Sequence, residues 1–158
     1  MGIMFFLLFV VVVLLILVVA LKVTSKGGIK DAEWPFDAKA PLSKPEQTLY
    51  FRLVKALPEQ VVLAQVPLSS MLAVKKNHDR RAWFNRINRM SADFVVCDRG
   101  FNILAVIELD DATHERPDRV KADEKKDQVL AAAGIRLIRW QAKSLPNEAL
   151  IQSTFKSA

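Results

Sequence analysis

Glu108, Asp110, Asp111 and His114 crowd into one eight-residue stretch, IELDDATH, residues 107–114. Carboxylates packed this closely raise one another's pKa unless a proton or a cation sits among them. A further acid, Asp93, stands near the start of the apolar run ADFVVCD, residues 92–98. Suppose this run and ILAVIELD (103–110) form an antiparallel hairpin centred between Gly100 and Phe101. Opposed positions then sum to 201, and Asp93 falls opposite Glu108. Directly opposed residues share a face, with Cβ atoms about 5 Å apart. Strand alternation brings Asp110 to that face as well. Oxygen ligands alone suit Mg²⁺ or Mn²⁺ rather than Zn²⁺. A metal so held activates water and stabilises charge building on a phosphate. The expectation depends on register, since a one-residue slip would send Asp93 to the opposite face. The plain alternative is a strand ending in solvated acids, with Asp111 opening a turn.

Other residues can add to this chemistry. His114 fits a proton donor, a metal ligand, or a cap for the helix starting near Pro117. Asp123 and Lys126 are three apart, the spacing of a surface pair on a helix. Asp123 also lies seven residues before Leu130 and so on its stripe. Residues 75–90, KKNHDRRAWFNRINRM, set Lys75, Lys76, Arg80, Arg81, Arg86 and Arg89 against Asp79 alone, with Trp83 and Phe84 interleaved. Three readings stand for them: phosphate contacts with Trp83 stacked on a base, a solvated helix with its aromatics in the core, or a membrane-facing surface. His78 in that run reads as solvated. The lone cysteine, Cys97, reads as a small core residue.

The elements that must position these groups follow from patterning. Ser43-Lys44-Pro45-Glu46 is a capping-box start with Pro in the first turn. Leu49, Leu53 and Ala56 then recur at helical spacing towards Pro58. VVLAQVPL (61–68) predicts a strand and SSMLAV a short helix. ADFVVCD and ILAVIELD flank the RGFN turn. A helix from Pro117 to Ala133 closes at Gly134, IRLIRW (135–140) predicts a strand, and PNEALIQSTF (146–155) a last helix. The order is α-β-(α)-β-β-α-β-α.

In front of this domain, residues 3–21, IMFFLLFVVVVLLILVVAL, carry no charge, Gly or Pro. Such a run nearly spans a hydrocarbon core of about 30 Å. Its length, its bare Met1-Gly2 start and the lack of an A-x-A site favour an anchor over a cleaved signal. Residues 1–22 thus read as a transmembrane anchor, 23–42 as a linker broken by Gly27-Gly28, Pro35 and Pro41, and 43–158 as one α/β domain. All 23 Lys and Arg follow the span, and the net charge is +6. The positive-inside rule then puts the C-terminal domain in the cytoplasm. The basic balance suits nucleic acid or anionic lipid.

The segment SADFVVCDRGFNILAVIELDDATHERPDRVKADEKKDQVLAAAGIRLIRW resembles the core of the PD-(D/E)XK, or restriction-endonuclease-like, superfamily, near the very-short-patch-repair branch. The carrying residues are Glu108-Leu109-Asp110-Asp111 with His114, then Asp123, Lys126 and Leu130, then Gly134 and Arg139. With PLSKPEQTLYFRLVKAL and VVLAQVPLSSML in front, residues 41–150 are also similar to the bacterial family called domain of unknown function 2726. The resemblance implies an α-β-β-β-α-β core, a mixed sheet flanked by helices, and Mg²⁺-dependent cleavage of phosphodiester bonds. It implies metal binding by Asp93 and Glu108, completed by Glu46 on the first helix. Two motif positions depart: Asp110 replaces the usual lysine, and Asp111 the glycine. Lys121, Lys125 or Lys126 on the next helix can supply the missing charge, Lys126 standing where relatives carry a basic residue.

The resulting expectation is a single-pass protein of the bacterial inner membrane with a nuclease-like domain. It would act on nucleic acid, DNA first, with Mg²⁺ or Mn²⁺ and no small-molecule cofactor. Asp93, Glu108, Asp110, Lys126 and His114 would carry the chemistry. The alternative is a non-catalytic module on the same fold, binding nucleic acid or protein at the membrane.

Overall fold

A computed structural model describes residues 2–24, 34–110 and 117–156, with side chains for 2–19, 34–110 and 123–156. The chain forms two compact units, Met1–Lys39 and Ala40–Ala158. The first contains helix α1, Gly2–Thr24. Its window Gly2–Val19 has a mean hydropathy of 3.5 and buries none of its surface within the protein. At about 1.5 Å per residue the helix is long and apolar enough to cross a membrane.

The second unit is a mixed four-stranded sheet with helices on both faces. Helix α2 (Lys44–Ala56) starts behind Ser43, whose N–H donates to Glu46 Oε2, as the capping pattern predicts. Strand β1 (Val61–Pro67) leads into two short helices, α3 (Leu68–Met71) and α4 (Arg80–Ile87). Strands β2 (Ser91–Cys97) and β3 (Ile103–Asp110) form the expected hairpin. Helix α5 (Pro117–Ala132), strand β4 (Leu137–Gln141), a 3₁₀ turn and helix α6 (Glu148–Lys156) complete the chain. The strand order is β1-β2-β3-β4, with β1/β2 and β2/β3 antiparallel and β3/β4 parallel.

The elements depart from the sequence patterning in several places: β4 runs Leu137–Gln141 rather than 135–140, and α6 Glu148–Lys156 rather than 146–155. The short helix after β1 is LSSM rather than SSMLAV, since Leu72 is already extended. The basic stretch makes only the eight-residue α4, started by Asp79, whose Oδ1 accepts from Ala82 N at 3.0 Å.

Each face of the sheet has its own core. On one, Phe94, Val96 and Ile107 pack against Leu49, Leu53 and Ala56 of α2 and Ile151 of α6. On the other, Val95, Cys97 and Val106 meet Leu68, Ile87 and Leu130 from α3, α4 and α5. Cys97 is 2% exposed and belongs to this second core, as the sequence reading had it.

The hairpin register decides the site. Phe94↔Ile107, Val95↔Val106 and Val96↔Ala105 each sum to 201, as predicted. The register shifts between Val96 and Cys97, so Cys97 pairs with Ile103. The irregularity is on the turn side and leaves the acid-bearing end in step. Asp98 holds the turn: its Oδ1 accepts from the N–H groups of Gly100 and Asn102, both at 2.8 Å. Phe101 takes a left-handed φ of 61° there.

Helix α5 ends in a Schellman arrangement. Gly134 N donates to Ala131 O at 3.0 Å and Ile135 N to Leu130 O at 3.0 Å. Gly134 has φ +70°, and no atom lies within 4 Å of a Cβ built on it. Replacement of Gly134 by Ala therefore meets backbone strain without a clash. Gly134→Ala should lower the unfolding free energy by about 1 kcal/mol, read as a lower urea midpoint at unchanged m-value.

Candidate active site

Continuing the hairpin register one step beyond Phe94↔Ile107 sets Asp93 opposite Glu108. Both side chains then share the sheet face of Val95 and Val106, the face that α5 covers. Asp93 Oδ2 accepts from the backbone N–H of Leu109 at 2.8 Å, which fastens the open end of the hairpin. Glu108 is 5% exposed. Its Oε2 accepts from Lys126 Nζ at 2.6 Å, and its Oε1 is buried with no hydrogen-bond partner among the described residues. An orphaned buried carboxylate oxygen is uncommon, because it forfeits the hydration it would have in water.

Two more residues extend the cluster. Parallel pairing sets Arg139 of β4 beside Glu108. Arg139 Nη1 donates to Asp110 Oδ1 at 3.0 Å, and its Nη2 donates to Asp127 of α5. Asp110 thus shares the face as expected but is paired with a cation.

Glu46 reaches the cluster from the start of α2. Its Oε2 accepts from Ser43 N and its Oε1 from Gln65 Nε2 at 2.8 Å. Gln65 is the residue sequence reasoning missed. It has φ 52° in the middle of β1 and stands level with Asp93, between the pairs Ala64↔Phe94 and Val66↔Ala92. A left-handed non-glycine residue inside a strand stores strain that the surroundings must offset. The one signal for it was a polar side chain inside the apolar run VVLAQVPL. Asp127 gave no signal, since a helical aspartate among Lys and Asp reads as solvated.

Electrostatics follow from burial. Burial pushes the Asp93 carboxyl up, with Glu46 and Asp110 adding to the rise; the Leu109 N–H and Lys126 oppose it. Burial likewise drives Glu108 up to about 7 despite its bond to Lys126, with Asp93 adding to the rise and Arg139 opposing it.

The donor set fits a small hard cation. Asp93 and Glu108 offer only oxygen, and Glu108 Oε1 has no hydrogen-bond partner among the described residues. Among the described residues no group of three or more His, Cys, Asp or Glu is gathered as a metal cage. Mg²⁺ does not need one, since it keeps several waters and binds through one or two carboxylates. The structure brings Asp93, Glu108, Asp110 and Lys126 together, with Glu46 close by. Asp123 is half-buried on α5. His114 and Asp111 lie outside the described residues. The basic residues Lys75, Lys76, Arg80, Arg81, Arg86 and Arg89 are all exposed on and beside α4. Trp83 is 45% and Phe84 43% exposed, so the reading that packs both into the core does not hold.

Glu108 sets a pH dependence of stability. Its carboxyl releases a proton near 4.5 when unfolded but near 7 when folded. The native state therefore binds the extra proton between these values, and stability falls as pH rises through this window. Asp93, also raised, acts in the same direction. Urea unfolding should find the protein about 3 kcal/mol less stable above pH 7 than at pH 4.5. Glu108→Gln should flatten most of that slope.

No curated protein and no solved structure matches the chain. A family model described as "Protein of unknown function (DUF2726)" matches residues 38–158, which take in every element from α2 to α6. The match covers well over half of the chain, which therefore belongs to this family.

Proposed function

We propose that the domain hydrolyses phosphodiester bonds in nucleic acid with a divalent metal held by Asp93 and Glu108. The observation that carries this reading is the buried Oε1 of Glu108, without a hydrogen-bond partner among the described residues and beside the Lys126 ammonium. The order α2-β1-β2-β3-α5-β4 agrees with the α-β-β-β-α-β core of the restriction-endonuclease-like superfamily. Lys126 supports it too, because it brings from the next helix the charge that Asp110 cannot supply.

When bound, Mg²⁺ or Mn²⁺ would lower the pKa of a water and stabilise the charge on the phosphate. The rest falls to the chain. Lys126 turns the Glu108 carboxylate so that Oε2 is engaged and Oε1 is left for the cation. Leu109 N–H fixes Asp93 by its Oδ2. Arg139 neutralises Asp110, which keeps a third bare carboxylate away from the incoming phosphate. Lys126 and Arg139 offset part of the negative charge that the acids would otherwise present to a phosphodiester. Burial of Glu108, 5% exposed, keeps bulk water from its carboxylate and strengthens these interactions.

The same reading puts the protein at the bacterial inner membrane. Helix α1 would be the anchor, and Lys22, Lys26 and Lys30 behind it favour a cytoplasmic domain.

Purified full-length protein should cleave single- or double-stranded DNA or RNA in Mg²⁺ or Mn²⁺. Asp93→Ala and Glu108→Ala should each lower the rate by about 10²-fold or more, the scale on which loss of one charge-stabilising group acts. Cleavage that survives both substitutions would remove the site from consideration. Salt-dependent binding without cleavage would instead favour a non-catalytic module on the same fold.

Metal binding can be read without activity. It needs ionised carboxylates, so Mn²⁺ should raise the melting temperature at pH 8 and much less at pH 5.5. At ten times its dissociation constant the metal adds about 1.4 kcal/mol. An equal rise in Glu108→Ala would place the ion elsewhere.

A further inference from the structure

A groove of about 310 Å³ opens between α4, the α3–α4 connection and the last turns of α5. Leu72, Val74, Ile87, Val129 and Ala133 form aliphatic walls, with Trp83 at one side. Only Lys75, His78 and Trp83 among the lining residues carry polar side-chain atoms. A nucleobase in such a slot would leave most of its ring edge without hydrogen-bond partners, which is costly in an apolar site. An alkyl chain leaves nothing unpaired.

The surroundings of the groove are as basic as its walls are apolar. Lys75 lines it, Lys76, Arg80, Arg81, Arg86 and Arg89 are exposed on and beside α4, and the acid of that stretch, Asp79, caps α4. The Arg86 guanidinium lies 4.5 Å from the centroid of the Trp83 ring. Half-exposed Trp83 and Phe84 beside arginines are the side chains that settle at a headgroup–acyl boundary. Fifteen residues separate Thr24 from Ala40, so the connecting chain reaches at most about 55 Å. If α1 spans a membrane, the domain is held within that distance of a lipid surface.

We propose that this face docks on an anionic phospholipid bilayer, with phosphate headgroups on the α4 basic residues and an acyl chain entering the groove. The proposal is independent of the nuclease reading, because it uses none of Asp93, Glu108 or Lys126.

The test uses the full-length chain in nanodiscs of phosphatidylcholine alone or with phosphatidylglycerol. With Trp34→Phe and Trp140→Phe, Trp83 is the sole indole. Brominated acyl chains should cut Trp83 emission roughly twofold in anionic discs, as for a ring at the acyl boundary, and have little effect in zwitterionic ones. Arg80→Glu with Arg81→Glu should abolish the quenching. Ala133→Leu, at an exposed position lining the groove, should reduce it without changing charge. Hydrogen exchange over residues 72–90 of the unsubstituted chain gives a second reading, with protection in anionic discs only. Quenching and protection that ignore lipid charge would overturn the proposal, as would quenching that Ala133→Leu leaves intact. So would protection of residues 72–90 by a single-stranded oligonucleotide in discs where anionic lipid gives none.

Discussion

The Lys126–Glu108 ion pair, with side chains only 14% and 7% exposed, is the interaction around which the domain is arranged. Two buried charges in contact can roughly offset their own desolvation, but either one alone cannot; removing one partner of such a pair costs about 3–5 kcal/mol. Helix α5 therefore has to lie where its lysine meets the strand. Leu130, fully buried one turn further on, presses that helix onto Val106 and Val95. The Gly134 cap ends α5 in time for β4 to return parallel to β3. Sheet order, helix placement and the state of Glu108 are thus one problem with one solution.

Around this pair the charges are graded. Arg139 ties Asp110 on β3 to Asp127 on α5, so the strand end is laced to the same helix twice. Among the described residues Asp93 accepts from one backbone donor and Glu46 from two donors, one of them the strained Gln65. These acids are satisfied to different degrees, and among the described residues Glu108 is left with a buried oxygen that has no hydrogen-bond partner. Strain at Gln65 and an unpaired oxygen at Glu108 are both costs that a fold tolerates at a working site more often than elsewhere. Far from the site, pairs such as Arg99–Glu59, with both side chains 72% exposed, add little to stability.

Much of this was legible in the chain. Strand β3 begins and ends where ILAVIELD does, because an apolar run from Ile103 to Ile107, rich in β-branched residues, follows the polar turn and leads into the acids. The Leu49, Leu53 and Ala56 stripe of α2 is buried, while its neighbour Val54 is 44% exposed, since helical periodicity admits one face only. The hairpin sum of 201 holds up to Phe94↔Ile107, next to the acids, because apolar alternation penalises any slip there. What failed had little pattern to hold it. The bulge at Cys97 is a choice made by the turn, where Asp98 gathers backbone donors that no hydrophobic period can report. The aromatics of α4 stay half-exposed because an eight-residue helix has too little apolar face to bury them.

The chain alone determined an apolar N-terminal helix, an α/β domain, and acids that converge on one strand pair, because each rests on local period and composition. Only the tertiary structure decided which acid is left wanting. Lys126 stands eighteen residues from Glu108, Arg139 twenty-nine from Asp110 and Glu46 nineteen from Gln65. Partners that distant meet through packing, and burial, which raises the Glu108 pKa, is a property of the folded interior that no sequence spacing encodes.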